Sequence, residues 1–130
     1  MIFGIGTDIV EVSRMDEGLS RHGERFARRI LAPTEYEVFK ARTGQASFLA
    51  KRFAAKEALV KALGCGFRDG ISMQHIVVGN DALGKPVLTL SGEAANKAKS
   101  LDVGEIFLSL ADEREYAVAY VTVMRSVAQG

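Results

Sequence analysis

From Ser47 to Leu63 the chain holds no glycine or proline and is rich in alanine, and Gly64 and Gly66 then arrive almost together. Alanine is the strongest helix former and glycines end helices, so the segment predicts one long helix. Its faces do not sort as those of a simple surface helix. Counted at about 100° per residue from Phe48, the residues Leu59, Leu63, Leu49, Val60 and Phe53 gather between about 20° and 140°. Arg52 and Lys56 fall at about 40° and 80°, inside that apolar arc, where their long stems can snorkel past a core. Glu57 and Lys61 lie at about 180° and 220°, one turn apart, with the small Ala50 and Ala54 beside them. A routine exposed ion pair worth roughly 0.2–0.5 kcal/mol is the plain alternative for these two.

The rest of the chain frames that helix. Residues 1 to 10 carry Ile2, Phe3, Ile5, Ile9 and Val10 and read as a strand. By alternation Asp8 shares a face with Gly4 and Gly6, so it is expected to look onto a space free of side-chain bulk. Ser13 is placed to cap a helix, along which Arg21, Arg25, Arg28 and Arg29 recur as a basic stripe, with Gly23 as a break. Pro33-Thr34 opens another helix, with Thr34 as cap and Glu35 and Glu37 on its dipole, ending near Gly44.

Past Gly70 strands take over, at 76–78 and 87–90 around a turn-rich stretch that ends in Gly84-Lys85-Pro86. Ser91 caps a short helix to about Leu101, and strands over Ile106–Leu110 and Tyr116–Met124 flank a charged turn. Helices early and strands late, around one opening strand, predict an α+β fold with a mainly antiparallel sheet and a single domain over residues 1–130.

Composition narrows the function classes. At 130 residues, 48% hydrophobic and with one cysteine, Cys65, the chain supports its own core without a disulfide framework and reads as reduced and cytoplasmic. The opening residues lack the pattern of a signal peptide, and no apolar run is long enough to span a bilayer, so no membrane partner is expected. Net charge is only +1, yet Lys40, Arg42, Lys51, Arg52, Lys56 and Lys61 face the single acid Glu57 in one stretch, which suits an anionic ligand. His22 and His75 have no zinc-ligand spacing with Cys65, and no Gly-x-Ser-x-Gly elbow or GxxxxGK[ST] loop is present.

Phosphate transfer needs positive charge, and magnesium supplies it when one or two carboxylates hold it while phosphate oxygens and water complete its shell. Asp8 on the strand and Glu57 on the helix are suitable oxygen donors, with Lys61 as a point charge for phosphate and Gly64 and Gly66 letting backbone approach the ligand.

Three stretches carry a resemblance: Gly4 to Arg14 (GIGTDIVEVSR), Phe48 to Gly66 (FLAKRFAAKEALVKALGCG) and Leu108 to Val121 (LSLADEREYAVAYV). In order, spacing and total length the chain resembles the holo-acyl-carrier-protein synthase family of phosphopantetheinyl transferases, and Gly84-Lys85-Pro86 adds weight. The resemblance implies transfer of the phosphopantetheine arm of coenzyme A to a serine of apo acyl carrier protein, in fatty acid biosynthesis, releasing adenosine bisphosphate. It implies magnesium, with manganese as a substitute, on Asp8 and Glu57, and coenzyme A phosphate on Lys61. Arg52, Gly64, Gly66, Lys85 and Pro86 are the further residues expected to bind coenzyme A. It also implies a homotrimer with sites between subunits. Many members carry a histidine where this chain has Asp112.

Acyl carrier proteins are acidic and helical, so Arg14, Arg21, Arg25 and Arg28 are the expected docking face. The rival reading is a small nucleic-acid-binding module that places the same arginines on backbone phosphates. Few aromatics, no tryptophan and a balanced total charge weigh against it.

Overall fold

The computed structural model describes residues 1–127, so residues 128–130 of the expected domain lie outside the described residues. The elements run β1 (Ile2–Glu11), α1 (Val12–His22), α2 (Glu24–Ile30), α3 (Pro33–Lys40), α4 (Gln45–Leu63), a single 3-10 turn (Met73–His75), β2 (Ile76–Asn80), β3 (Pro86–Leu90), α5 (Gly92–Ser100), β4 (Val103–Asp112) and β5 (Tyr116–Arg125). The strands form two antiparallel sheets: a three-stranded one of order β1-β5-β4, and a separate β2-β3 ribbon. The first strand thus pairs with the last, with Asp8 opposite Ala119 and Gly6 opposite Val121.

One face of the larger sheet packs on α4 across a seam of small residues. The sheet offers Gly4, Gly6, Ala117 and Ala119, and the helix offers Ala54, Ala55, Ala58 and Ala62. A Cβ at Gly4 would overlap the carbonyl oxygen of Ala62, and one at Gly6 that of Ala58. The space beside Asp8 is therefore not open, as alternation suggested, but filled by the backbone of α4. Glycine is required there because strand and helix touch at backbone distance.

The apolar arc of α4 carries two cations inward, and Lys56 does not snorkel. It is 0% exposed. Its Nζ donates to Glu35 Oε1 at 2.6 Å, to the Ile30 carbonyl at 2.6 Å and to the Met73 carbonyl at 3.1 Å. Glu35, far from serving only a helix dipole, also accepts from the backbone N–H groups of Ala32 (2.8 Å) and Val78 (3.0 Å). A buried charge persists only when paired and hydrogen-bonded, and this knot satisfies that while tying α2, α3, the 3-10 turn and β2 to α4.

Several ends differ from expectation. The chain enters α1 two residues early, with Glu11 as N-cap, so Ser13 lies in the first turn and donates to Glu11 Oε2 at 3.4 Å instead of capping. Ala32 precedes α3 with Pro33 as first helical residue, which leaves Thr34 no capping role, and the helix stops at Lys40. Ser91 holds the N-cap position of α5, but its hydroxyl donates to the His75 carbonyl at 3.4 Å. Gly23, at φ +56°, turns the chain between α1 and α2, so the basic stripe is divided between two helices.

A two-carboxylate candidate active site

The small-residue seam sets α4 directly over β1, and this brings Asp8, Glu57 and Lys61 together. Lys61 Nζ donates to Asp8 Oδ1 at 2.9 Å and to the Thr7 carbonyl at 3.1 Å, so it reaches across to the strand rather than back along its helix. Asp8 is 16% exposed and Lys61 52%, leaving the ammonium open to solvent above the acid. Burial raises the Glu57 carboxyl above its ordinary range, the negative charge of Asp8 adds to this, and Lys61 and Arg14 oppose it. Two acids therefore lie close enough to repel each other, one of them partly buried and the other paired with Lys61.

Such a pair suits a hard divalent cation. Both donors are carboxylate oxygens, and magnesium is held by one or two of these with the remainder of its octahedron left to phosphate and water. Among the described residues no cluster of three or more Cys, His, Asp or Glu side chains is arranged to hold a metal. Two protein ligands are thus what the chain offers.

Gly64 follows Lys61 at the end of α4 with φ +77°, a left-handed cap, and Gly66 has φ +65°. A Cβ at Gly64 would meet nothing within 4 Å, so the backbone there is open to a ligand.

The other expected coenzyme residues lie elsewhere. Arg52, nine residues before Lys61 in the sequence, lies 12% exposed with its guanidinium 3.8 Å from the Phe48 ring centroid and Nε 3.6 Å from Glu35 Oε2. With Pro86 it lines a cleft of about 360 Å³ that also includes Arg42, Lys51, Asn80 and Asp112. Lys85 sits at the mouth of the β2-β3 turn with its ammonium 5.5 Å from the Phe107 ring centroid. Lys51 Nζ lies 3.7 Å from Asp112 Oδ1, so the aspartate found in place of the family's histidine holds a lysine at this cleft. Sequence reasoning held Arg42 and Lys51 only as members of a basic stretch and missed Asn80; the three come together only when α4 meets the β2-β3 ribbon.

The arginines divide into two pairs. Arg14 and Arg21 are exposed on α1, with Arg21 paired to Glu17 at 3.0 Å, and Arg14 is near enough to lower the Glu57 carboxyl's affinity for its proton. Arg25 and Arg28 are exposed on α2, where Arg28 stacks 4.0 Å from the Tyr36 ring centroid.

With that geometry in hand, comparison with known proteins defines the class. The chain belongs to the 4'-phosphopantetheinyl transferase superfamily, whose family model matches residues 4–121. Within that class the similarity is to one enzyme. The chain is 56% identical to the holo-[acyl-carrier-protein] synthase of Halorhodospira halophila over 95% of its own length and 98% of that protein's, and 53% identical to that of Vibrio cholerae over 96% and 99%. The crystal structure of the Neisseria meningitidis holo-[acyl-carrier-protein] synthase superposes with TM-score 0.91 at 39% identity, over 96% of this chain and all of that one. The Bacillus anthracis enzyme, solved in complex with coenzyme A (3',5'-ADP), superposes with TM-score 0.81 at 38% identity, over 97% and 99%. The chain is accordingly an enzyme of the phosphopantetheinyl transferase class, with the α+β fold of that class.

Proposed function

We propose that this chain, acting as a single domain over residues 1–130, transfers the phosphopantetheine arm of coenzyme A to a serine of apo acyl carrier protein. Magnesium is its cofactor, with manganese a workable substitute given the oxygen donors. The observation that carries this reading is the convergence of Asp8, Glu57 and Lys61 over a glycine-lined seam, in a chain so similar to holo-[acyl-carrier-protein] synthases.

Asp8 and Glu57 would hold the cation, which when bound supplies neutralisation of the phosphoryl oxygens. Lys61 carries an exposed ammonium that turns from Asp8 to the diphosphate as the coenzyme enters. The serine attacks the phosphorus nearer the pantetheine in line, the P–O bond to the adenosine bisphosphate breaks, and Asp8 is the acceptor this chain offers for the serine proton. Positioning and electrostatics, rather than covalent chemistry by the protein, then set the rate.

A second observation supports the homotrimer. The outward face of the β1-β5-β4 sheet leaves Ile5, Ile9, Phe107, Tyr116 and Tyr120 between 41% and 62% exposed, an apolar surface that suits burial against copies of the chain. In one protomer the carboxylate pair and the Arg42-Lys51-Arg52 cleft are separate, so a neighbouring copy supporting the coenzyme from its own cleft gives both clusters a role. Arg52, Lys85 and Pro86 bind coenzyme A in this arrangement from the neighbour, and Gly64 and Gly66 from the chain that carries Lys61. A cytoplasmic location and a role in fatty acid biosynthesis complete this reading, and the free thiol of Cys65 suits a reducing compartment. Among the described residues no helix is long and apolar enough to cross a membrane.

Incubation with coenzyme A, magnesium and an apo carrier is expected to raise the carrier's intact mass by one phosphopantetheine; coenzyme binding without that increase would reduce the chain to a regulator. Arg14 and Arg21 extend the docking surface toward Glu57. Reversing both to glutamate is expected to raise the Michaelis constant for the carrier by about tenfold or more while leaving that for coenzyme A within about twofold. Equal changes in both constants would remove this face from the docking surface.

A further inference from the structure

Helix α2 spans Glu24–Ile30, two turns, too short to hold its shape by propensity. Like every helix it ends in four carbonyls without helical partners of their own, and here each has one. The Leu31 N–H donates to the Ala27 carbonyl at 2.9 Å. Gln74 Nε2, from the 3-10 turn before β2, donates to the Arg28 carbonyl at 2.6 Å and to the Arg29 carbonyl at 2.9 Å. Lys56 Nζ takes the Ile30 carbonyl at 2.6 Å. Two side chains remote in sequence, one of them next to Glu57, thus fix the end of α2 from which Arg28 projects.

We propose that Gln74 is a positioning residue for carrier docking: by clamping the Arg28 and Arg29 carbonyls it fixes the bearing of Arg25 and Arg28 relative to the acid pair. This rests on the reading of those arginines as the carrier's docking face. Gln74 touches neither carboxylate nor coenzyme cleft, and its clamp acts on backbone, so it takes no donor of the exposed Arg25 and Arg28 side chains away from the partner. With Lys56 gripping the next carbonyl from α4, the docking helix and Glu57 share one frame. Arg14 and Arg21 lie on α1, across the Gly23 turn, and Gln74 makes no bond to that helix.

Gln74→Met keeps the side chain's length and removes its donor. It is expected to raise the Michaelis constant for apo carrier about fivefold, with kcat and the constant for coenzyme A within about twofold. Gln74→Asn, one methylene too short to reach both carbonyls, is expected to behave alike and guards against a folding defect in the first variant. In a double-mutant cycle the penalty of Arg28→Glu should shrink in the Gln74→Met background, while that of Arg14→Glu stays additive. A general loss of stability would not produce that split. An unchanged carrier constant in both Gln74 variants, or equal rises in both constants, overturns the clamp. If Arg25→Glu with Arg28→Glu leaves the carrier constant unchanged, the docking reading fails and takes the clamp with it; if that pair raises it and Gln74→Met does not, the clamp alone fails.

Discussion

Asp8→Ala and Glu57→Ala are each expected to lower magnesium-dependent transfer by about a thousandfold while leaving the fold in place. The size follows from how little else the chain offers: the site has two acids, and losing one halves the protein's share of a cation's shell. The fold survives because Asp8 contributes only one exposed ion pair and Glu57 is held at a net electrostatic disadvantage. Isothermal titration with magnesium, alongside the intact-mass assay, checks both halves. Near-normal activity in both variants would remove the site.

A companion readout needs no turnover. Because the folded protein raises the Glu57 pKa, the stabilising protonated form is present at low pH and that contribution is lost as pH rises through the folded value. Metal-free Glu57→Gln is therefore expected to melt higher than the metal-free parent at neutral pH, with the difference vanishing in acid. Added magnesium should raise the parent's melting temperature and not the variant's.

Glu35→Ala is expected to cost about 3–5 kcal/mol of stability, because it strands Lys56 as an unpaired charge in a fully buried position. Arg52 Nε, buried and without a hydrogen bond among the described residues, loses its nearest acid in the same stroke. Urea unfolding should show the midpoint fall sharply. Combining Glu35→Leu with Lys56→Met should recover much of what either single change loses, since a well-packed apolar pair often replaces a buried ion pair at little cost. If the double variant is as unstable as the sum of the singles, the hydrogen bonds to the Ile30 and Met73 carbonyls outweigh the charge pair.

What the sequence made legible was local. Helix α4 stood out from alanine content and its glycine stop, and the outer strands from their β-branched runs. Asp8, Glu57 and Lys61 could be nominated because phosphate chemistry asks for those side chains and a family motif carries them. The partners that fix the fold were hidden by distance along the chain: Lys56 meets an acid 21 residues away, and that acid meets a backbone amide 43 residues away. Charges within the apolar arc of α4 announced that something unusual happens there, but not with whom. Gly4 and Gly6 read as open space beside Asp8, and only the packed helix shows that they make room for its backbone. The cleft around Lys51 and Asp112 joins α4 to the strands that follow it, and Gln74 serves a helix more than forty residues upstream. No periodicity could have marked either.

The contact between β1 and α4 also bears on how such an enzyme can vary. Where two backbones rest against each other, the separation of the acids is set by atoms that every amino acid shares, and side chains have almost no say in it. A methyl group added at Gly4 or Gly6 would act as a wedge, spreading the carboxylates without touching either. Sequence drift along this line is thereby confined by volume, and the spacing of the two carboxylates is guarded by residues that carry no functional group.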